Sequence, residues 1–217
     1  MFFPYFNYNN WIYLILDSMA IIFTVFSFFF AKKNNVLMFP VGILSSMIYS
    51  YLTYKNFLYG NFIINMYYIV IIFYGWYLCI FSKKYNDKKI PITFCNKKDY
   101  FHTLILFLFT CIFIIMVRFL NKNNEKYFHW ANIIILGLYF SGMYQMAIKK
   151  VENWIFWIIG NILSVSIYFF KGFFFTEILF IILILLSVEG LFIWKKKARS
   201  FHIKNEKNDN RTKNYFN

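Results

Sequence analysis

The sequence predicts an all-α, polytopic membrane protein, and its composition, hydropathy and charge distribution each indicate this fold class. Of the 217 residues, 60% are hydrophobic and 25% are aromatic, whereas only 15% are charged. A soluble domain has about 45–50% apolar and about 25% charged residues. A chain of this length cannot bury so much apolar surface within itself, so lipid must cover the remainder.

Seven apolar stretches are long enough to cross a bilayer, which takes about 20 residues in a helix. The predicted spans are residues 11–30, 36–54, 62–82, 100–120, 128–148, 153–170 and 174–194. The connections are short except for the polar segment 83–99. Beyond Trp194 the chain is basic and polar, and we predict a disordered tail there because such a segment buries little apolar surface.

Lysine and arginine are concentrated on one side of this predicted map. With the N-terminus outside, the cytoplasmic side carries 18 of the 23 basic residues (2 at 32–33, 6 at 83–99, 2 at 149–150 and 8 in the tail). Basic residues in short loops favour the cytoplasm. We therefore expect the N-terminus outside and the C-terminus in the cytoplasm. The many Lys, Asn, Ile and Phe residues and the few Arg and Pro residues suggest a bacterial source, so the membrane is expected to be the bacterial inner membrane. Residues 1–10 contain no Lys or Arg, so we expect no cleavable signal peptide.

The cysteines and histidines are scattered along the chain. None of them lies at the spacing of a metal site or of a nucleophile–base pair. We therefore predict free thiols, no metal, no cofactor and no enzymatic activity. These residues are Cys79, Cys95, Cys111, His102, His129 and His202.

The charged residues within the predicted spans lie toward the helix ends rather than at the bilayer midplane. They are Asp17, Arg118, Glu177 and Glu189. Ion-coupled transporters and proton pumps usually carry an ionisable group inside the membrane. We therefore expect uncoupled movement of a substrate that is not strongly anionic, although sodium binding to carbonyl and hydroxyl oxygens stays open.

Parts of the first three and the last three predicted helices resemble each other. Residues 42–45, followed by Tyr49, align with residues 161–164, followed by Tyr168, at a separation of 119. This order predicts two parallel three-helix repeats joined by an odd fourth helix, a 3+1+3 arrangement that holds substrate between its halves. The predicted divisions are residues 1–83 (first repeat), 84–122 (linker and fourth helix), 123–197 (second repeat) and 198–217 (basic cytoplasmic tail).

The sixth predicted helix carries the sharpest polar pattern, with Trp154, Trp157, Asn161, Ser164 and Tyr168 at steps of three and four residues. Such steps place all five on one helix face. Trp154 and Tyr168 also suit an interfacial aromatic belt, and Asn161 also suits helix–helix packing. An unpaired amide near mid-span is costly, so we expect Asn161 and Trp157 to contact substrate.

Further polar candidates are Gln145 on the fifth helix and Asn65 and Tyr68 on one face of the third. Helix packing or loop capping would also account for these three. On the matching face of the second helix, Met38 and Gly42 replace the Trp and Asn positions, so the site is expected to depend mainly on the second repeat. Uncharged Trp, Tyr, Asn and Gln suit a flat heteroaromatic ligand, which points to nucleosides and vitamins.

Several motifs resemble the PnuC family of vitamin transporters. Residues 154–161 (Trp-x-x-Trp-Ile-x-x-Asn), 168–172 (Tyr-x-x-Lys-Gly), Gly190 and Trp194 resemble the signature of its last two helices. The other matching stretches are residues 58–61 (Leu-Tyr-Gly-Asn), residues 74–77 (Tyr-Gly-Trp-Tyr), and Gln145 with Lys149.

The resemblance implies a SWEET-like 3+1+3 fold that assembles as a homotrimer. It implies import of nicotinamide riboside by facilitated diffusion for NAD biosynthesis, driven by intracellular phosphorylation of the substrate. Trp157 would then stack on the nicotinamide ring, while Asn161 and Gln145 would bind the carboxamide or ribose. Thiamine, or another vitamin or nucleoside, is the alternative substrate, and no nucleic acid partner is expected. A structural or sensory subunit is the remaining alternative, which the polar face of the sixth helix disfavours.

Overall fold

The computed structural model describes residues 11–57, 59–86, 91–120, 130–170 and 174–215. Within these residues the chain forms seven α-helices and no extended sheet. The helices are α1 (Trp11–Lys32), α2 (Met38–Lys55), α3 (Tyr59–Asn86), α4 (Lys97–Leu120), α5 (Ala131–Ala147), α6 (Asn153–Phe170) and α7 (Phe174–Tyr215). The all-helical prediction is therefore confirmed.

The helices follow from long apolar runs that contain few helix-breaking residues. Pro40 lies in the first turn of α2, where proline is tolerated because first-turn amides have no intrahelical acceptor. In the part of the chain that the structure describes, four segments are long and apolar enough to cross a membrane by length and composition: Trp11–Lys32, Asn61–Ile80, Lys97–Leu120 and Glu177–Asn205. The chain is thus a membrane protein with several apolar helices.

Six of the helices pack side by side in a closed ring. The neighbouring pairs around the ring are α1 and α2, α2 and α3, α3 and α5, α5 and α6, α6 and α7, and α7 and α1. Helix α4 lies outside this ring, mainly against α5. Large side chains on its outer side, including Leu108, Phe109 and Ile112, are exposed in the isolated chain, as expected for a lipid-facing surface.

A pair of tryptophans joins three helices of the ring. Trp154 on α6 and Trp194 on α7 are fully buried and meet edge to face, with ring centroids 5.6 Å apart. Trp194 Nε1 donates a hydrogen bond to the carbonyl oxygen of Ala31 on α1 at 3.2 Å. Gly190 makes room for this packing, because a Cβ there would lie 2.6 Å from the Trp154 ring. Helices α1, α6 and α7 therefore meet at one aromatic contact.

The turns after α1 and α5 have the same backbone geometry. Asn34, after α1, and Lys149, after α5, both have φ 58°, a value that Phe57 after α2 shares. The Asn34 amide donates a hydrogen bond to the Ala31 carbonyl. In the same way, the Lys149 amide donates to the Met146 carbonyl. These left-handed residues end their helices with the same capping hydrogen bonds.

The segment before α4 is docked against the second of these turns. The Thr93 amide donates to the Lys149 carbonyl, and the Val151 amide donates to the Thr93 carbonyl, each at 3.1 Å. Lys150 forms an ion pair with Asp99 at the start of α4, with Nζ 2.8 Å from the carboxylate. Helix α4 is therefore attached to the α5–α6 turn by backbone hydrogen bonds and by charge.

The predicted disordered tail is wrong as far as Tyr215, because α7 continues as one helix to that residue. Starting a helix is the unfavourable step, whereas extending an existing one costs little. The apolar part of α7 supplies the first turns. Lys, Arg, Ala and Glu beyond Trp194 are good helix formers that extend it. Near this boundary, Lys32 on α1 pairs with Glu189, with the charged atoms 2.6 Å apart.

We predict that Gly190→Ala destabilises the protein by about 1–3 kcal/mol, because the new methyl group overlaps the Trp154 ring. The measurement is thermal unfolding in detergent. Adding Trp154→Phe, which has a smaller ring, should restore part of the lost stability. The control is Leu185→Ala, an exposed position on the same helix. Equal unfolding temperatures for Gly190→Ala and Leu185→Ala would contradict the tight contact.

Candidate functional site

A small cavity lies inside the ring, between α1, α2, α3, α5 and α6. Its volume is about 30 Å³, room for one or two water-sized groups. Pockets that enclose whole small-molecule ligands have volumes of about 300–1,000 Å³. The helices are thus closed around the cavity, and a ligand of nucleoside size requires them to separate.

An aromatic cluster forms one wall of the cavity. Trp157 is buried, and its ring stacks on Tyr139 of α5 with centroids 5.1 Å apart and an interplanar angle of 27°. The ring of Phe28 on α1 meets Trp157 edge to face at 4.7 Å. Phe28 and Trp157 line the cavity together with Tyr68 of α3. Stacked rings of this kind suit a flat or cationic ring.

A buried hydrogen-bond network connects this cluster to α6. Tyr139 Oη donates to Asn161 Oδ1 at 2.8 Å and lies 2.9 Å from Ser164 Oγ. Ser164 Oγ is also within donating distance of the Gly160 carbonyl, at 2.9 Å. Asn161 Nδ2 has no hydrogen-bond partner within the part of the chain that the structure describes. A buried amide donor is therefore available for a ligand.

Hydroxyl groups from α1 and α2 form another part of the cavity wall. Thr24, Ser27, Ser45 and Ser46 all line the cavity. Thr24 Oγ1 lies 2.7 Å from Ser45 Oγ, which joins the two helices. Among the described residues, no charged side chain lines the cavity. This part of the wall is therefore neutral and contains both aromatic rings and hydroxyl oxygens.

The structure brings together only some of the eight residues that we predicted to bind substrate. Trp157 and Tyr68 line the cavity. Asn161 and Ser164 do not line it, but they bond to Tyr139, whose ring stacks on Trp157. Asn65 is buried on α3, and its Nδ2 has no hydrogen-bond partner among the described residues.

Gln145 and Trp154 contact neighbouring helices instead of the cavity. Gln145 is fully buried, and its Nε2 donates to Thr103 Oγ1 of α4 at 3.0 Å. This amide therefore faces the helix outside the ring. Trp154 packs against Trp194, as described above. The side chain of Tyr168 lies outside the described residues.

Comparisons with known proteins place the chain in a family. The family model of nicotinamide mononucleotide transporters matches residues 14–196. The chain belongs to this transporter family. The nicotinamide riboside transporters PnuC of Escherichia coli (strain K12) and Shigella flexneri are each 20% identical in an alignment of 192 positions, which covers 78% of this chain and 80% of the relative.

A solved structure described as the crystal structure of the vitamin B3 transporter PnuC shares the fold. Its TM-score is 0.65 at 18% identity, and the match covers 90% of this chain and 85% of that one. The resemblance to the PnuC family is therefore confirmed. The relatives are transporters, which agrees with the prediction of a non-enzyme. Among the described residues, no three His, Cys, Asp or Glu side chains lie together as a metal site.

Sequence reasoning missed several residues that build the interior of this PnuC-family chain. Nothing in the sequence distinguishes Tyr139 from the rest of the 18 tyrosines. The adjacent pair Gly160-Asn161 was a usable signal, since a Cβ at Gly160 would lie 2.6 Å from the Tyr139 ring. Thr24 and Ser27, three residues apart in the otherwise apolar stretch 19–31 of α1, were another. Most of the cavity wall comes from α1–α3, whereas we had expected the second half to dominate.

Lys149 lies in the turn between α5 and α6, outside the membrane-spanning segments. Its side chain is buried, with Nζ 5.6 Å from the centre of the Trp194 ring and 5.9 Å from that of Phe39. Burial lowers the pKa of Lys149, the Cys79 thiol opposes this effect, and the Lys197 ammonium adds to it. This end of the PnuC-family bundle is closed by an amine held against aromatic rings.

We predict that Tyr139→Phe lowers the free energy of unfolding by about 1–2 kcal/mol, because Asn161 Oδ1 loses its donor while staying buried. Chemical unfolding in detergent measures the change. Tyr144→Phe, one turn later on the same helix and only partly buried, is the matched control and should change stability by less than about 0.5 kcal/mol. A Tyr139→Phe protein as stable as this control would show that the network contributes little.

Proposed function

We propose that this chain imports nicotinamide riboside by facilitated diffusion and that phosphorylation in the cytoplasm traps the product. The observation that carries the proposal is the stacked pair Trp157 and Tyr139 beside the cavity, with Asn161 Nδ2, which has no partner among the described residues, next to it. A nicotinamide riboside ring is flat and cationic, so it gains stacking and about 0.5–2 kcal/mol of cation–π energy on such rings. The amide suits the carboxamide or sugar. The names of the two bacterial relatives support the same substrate.

The uncoupled mechanism is supported by the neutral interior. As far as the structure describes the chain, the cavity wall contains hydroxyl, aromatic, aliphatic and thioether side chains but no carboxylate, imidazole or ammonium. Coupling to protons or sodium generally uses an ionisable group within the membrane. Without such a group, net uptake follows the substrate gradient, and removal of the free substrate by a kinase keeps that gradient inward.

The proposed fold has two parallel three-helix repeats, α1–α3 and α5–α7. The ring contacts support it, because exchanging α1, α2 and α3 for α5, α6 and α7 reproduces the same neighbours. The turns at Asn34 and Lys149 are 115 residues apart. Phe39 against Gly75, and Trp154 against Gly190, repeat one contact at that separation. The aligned sequence segments 42–45 and 161–164 are 119 residues apart, which exceeds the structural separation of 115 by four residues, or about one helical turn.

We further propose that all seven helices cross the membrane, with the N-terminus outside and the chain divided at residues 83, 122 and 197. Distribution of Lys and Arg supports this orientation. The attachment of α4 to the α5–α6 turn agrees with both lying on the cytoplasmic side. A homotrimer is proposed from the family resemblance, with the exposed apolar faces meeting lipid or neighbouring subunits.

We predict that proteoliposomes containing the chain exchange labelled nicotinamide riboside in a counterflow assay and do not exchange labelled thiamine. Asn161→Ala and Trp157→Ala should each lower exchange at least tenfold, because each removes a ligand contact. Ser166→Ala is the control, since Ser166 is exposed on the same helix and bonds to the Ile162 carbonyl. Thiamine exchange without nicotinamide riboside exchange would refute the substrate. Unchanged rates in both variants would refute the site.

We predict that an impermeant maleimide labels Lys55→Cys in intact cells and labels Lys33→Cys only after the membrane is opened. Both positions are exposed; Lys55 is the last residue of α2, and Lys33 lies in the turn that precedes α2. The native cysteines are first replaced by serine. Labelling of Lys33→Cys in intact cells, with protection of Lys55→Cys, would reverse the orientation.

A further inference from the structure

The four hydroxyl groups on the cavity wall share one property. Ser46 Oγ donates to the Gly42 carbonyl at 3.0 Å, and Ser27 Oγ donates to the Met38 carbonyl at 2.8 Å. A serine or threonine hydroxyl has one proton and two accepting lone pairs. Both of these hydroxyls thus use their proton on the backbone and keep accepting capacity toward the cavity.

The hydroxyl groups of Thr24 and Ser45, taken as a pair, also donate both of their protons within the protein. Their oxygens are 2.7 Å apart, so one donates to the other. Both oxygens also lie 2.9 Å from the Ala20 carbonyl, which takes the remaining proton. The pair therefore has no proton left for a ligand. It still offers accepting lone pairs at the same cavity as Ser27 and Ser46.

The cavity wall on α1 and α2 is consequently an accepting surface without formal charge. A ligand group that fits there must bring its own hydrogen-bond donors, because two accepting groups repel each other and leave buried polar atoms unpaired. The space, about 30 Å³, has room for one or two hydroxyl-sized groups. A sugar diol has both the size and the donors that this wall requires.

We propose that Thr24, Ser27, Ser45 and Ser46 form a hydrogen-bond-accepting subsite for the sugar hydroxyls of the substrate. The subsite rests on the proposed transport of a nucleoside. It assigns the halves of the protein different tasks. Helices α1 and α2 accept hydrogen bonds from the sugar, while the α5–α6 cluster of Tyr139, Trp157 and Asn161 binds the base.

The chain contains a matched control for this assignment. Ser46 and Ser50 are one turn apart on α2, and both are about equally buried, at 4% and 5% exposure. Each donates to the carbonyl four residues earlier. Only Ser46 lines the cavity. A purely structural role of the hydroxyl would therefore give the two alanine variants the same phenotype.

The experiment measures counterflow of labelled nicotinamide riboside in proteoliposomes, in competition with its 2′-deoxy-2′-fluoro and 3′-deoxy-3′-fluoro analogues. Fluorine is close to a hydroxyl group in size but donates no hydrogen bond. The wild-type chain should bind at least one analogue about 3- to 10-fold more weakly than the parent, as expected for one lost hydrogen bond. Ser46→Ala and Ser45→Ala should reduce this ratio toward one, whereas Ser50→Ala should keep it.

Two different failures are distinguishable. A wild-type protein that exchanges no nicotinamide riboside overturns the proposed function and this subsite with it. A wild-type protein that exchanges the parent, but whose Ser45→Ala and Ser46→Ala variants keep the wild-type ratio, overturns the subsite alone. Having two variants on different hydroxyls keeps the test decisive if one of them folds poorly.

Discussion

The position of α6 depends on close contact between glycines and aromatic rings on both of its sides. Gly160 on α6 receives the ring of Tyr139 from α5, and Gly190 on α7 receives the ring of Trp154 from α6. Neither contact leaves space for a methyl group. Because interiors are close-packed, these contacts set how near the three helices lie. They also hold Trp157 and Asn161 at the inner face of the ring.

Around this frame, the interior separates two kinds of chemistry. The stacked rings of Tyr139 and Trp157 and the amide donor of Asn161 come from α5 and α6, whereas the hydroxyl oxygens that accept hydrogen bonds come from α1 and α2. A nucleoside has the same division, with a flat base at one end and a sugar at the other. Under the proposed function, neutral groups would bind such a ligand by many weak contacts, which would allow release on one side of the membrane as well as capture on the other. A strongly charged site would hold a cationic ligand too tightly for rapid passage.

The helices and the polar face of α6 were predictable from sequence, because hydropathy and a step of three or four residues are local properties. The partners of those residues were not. Gln145 was predicted to bind substrate, and in the structure its Nε2 donates to Thr103 of α4. The sequence pattern of α5 does not indicate which of its residues contact α4. Tyr139 and Phe28 could not be selected among 18 tyrosines and 31 phenylalanines. The prediction of a disordered tail was wrong because it used composition alone, which does not show that an existing helix extends at little cost.

The uninterrupted course of α7 has a mechanical consequence. A helix of 42 residues is about 63 Å long, roughly twice the thickness of the hydrocarbon core. About half of it therefore projects beyond the bilayer as a stiff, basic rod. If α7 tilts by only about 10°, its far end moves by about 5 Å relative to the point where the helix leaves the bilayer, because the projecting half is about 30 Å long. Small movements of α7 near the cavity would therefore produce larger displacements at its C-terminal end, well outside the membrane.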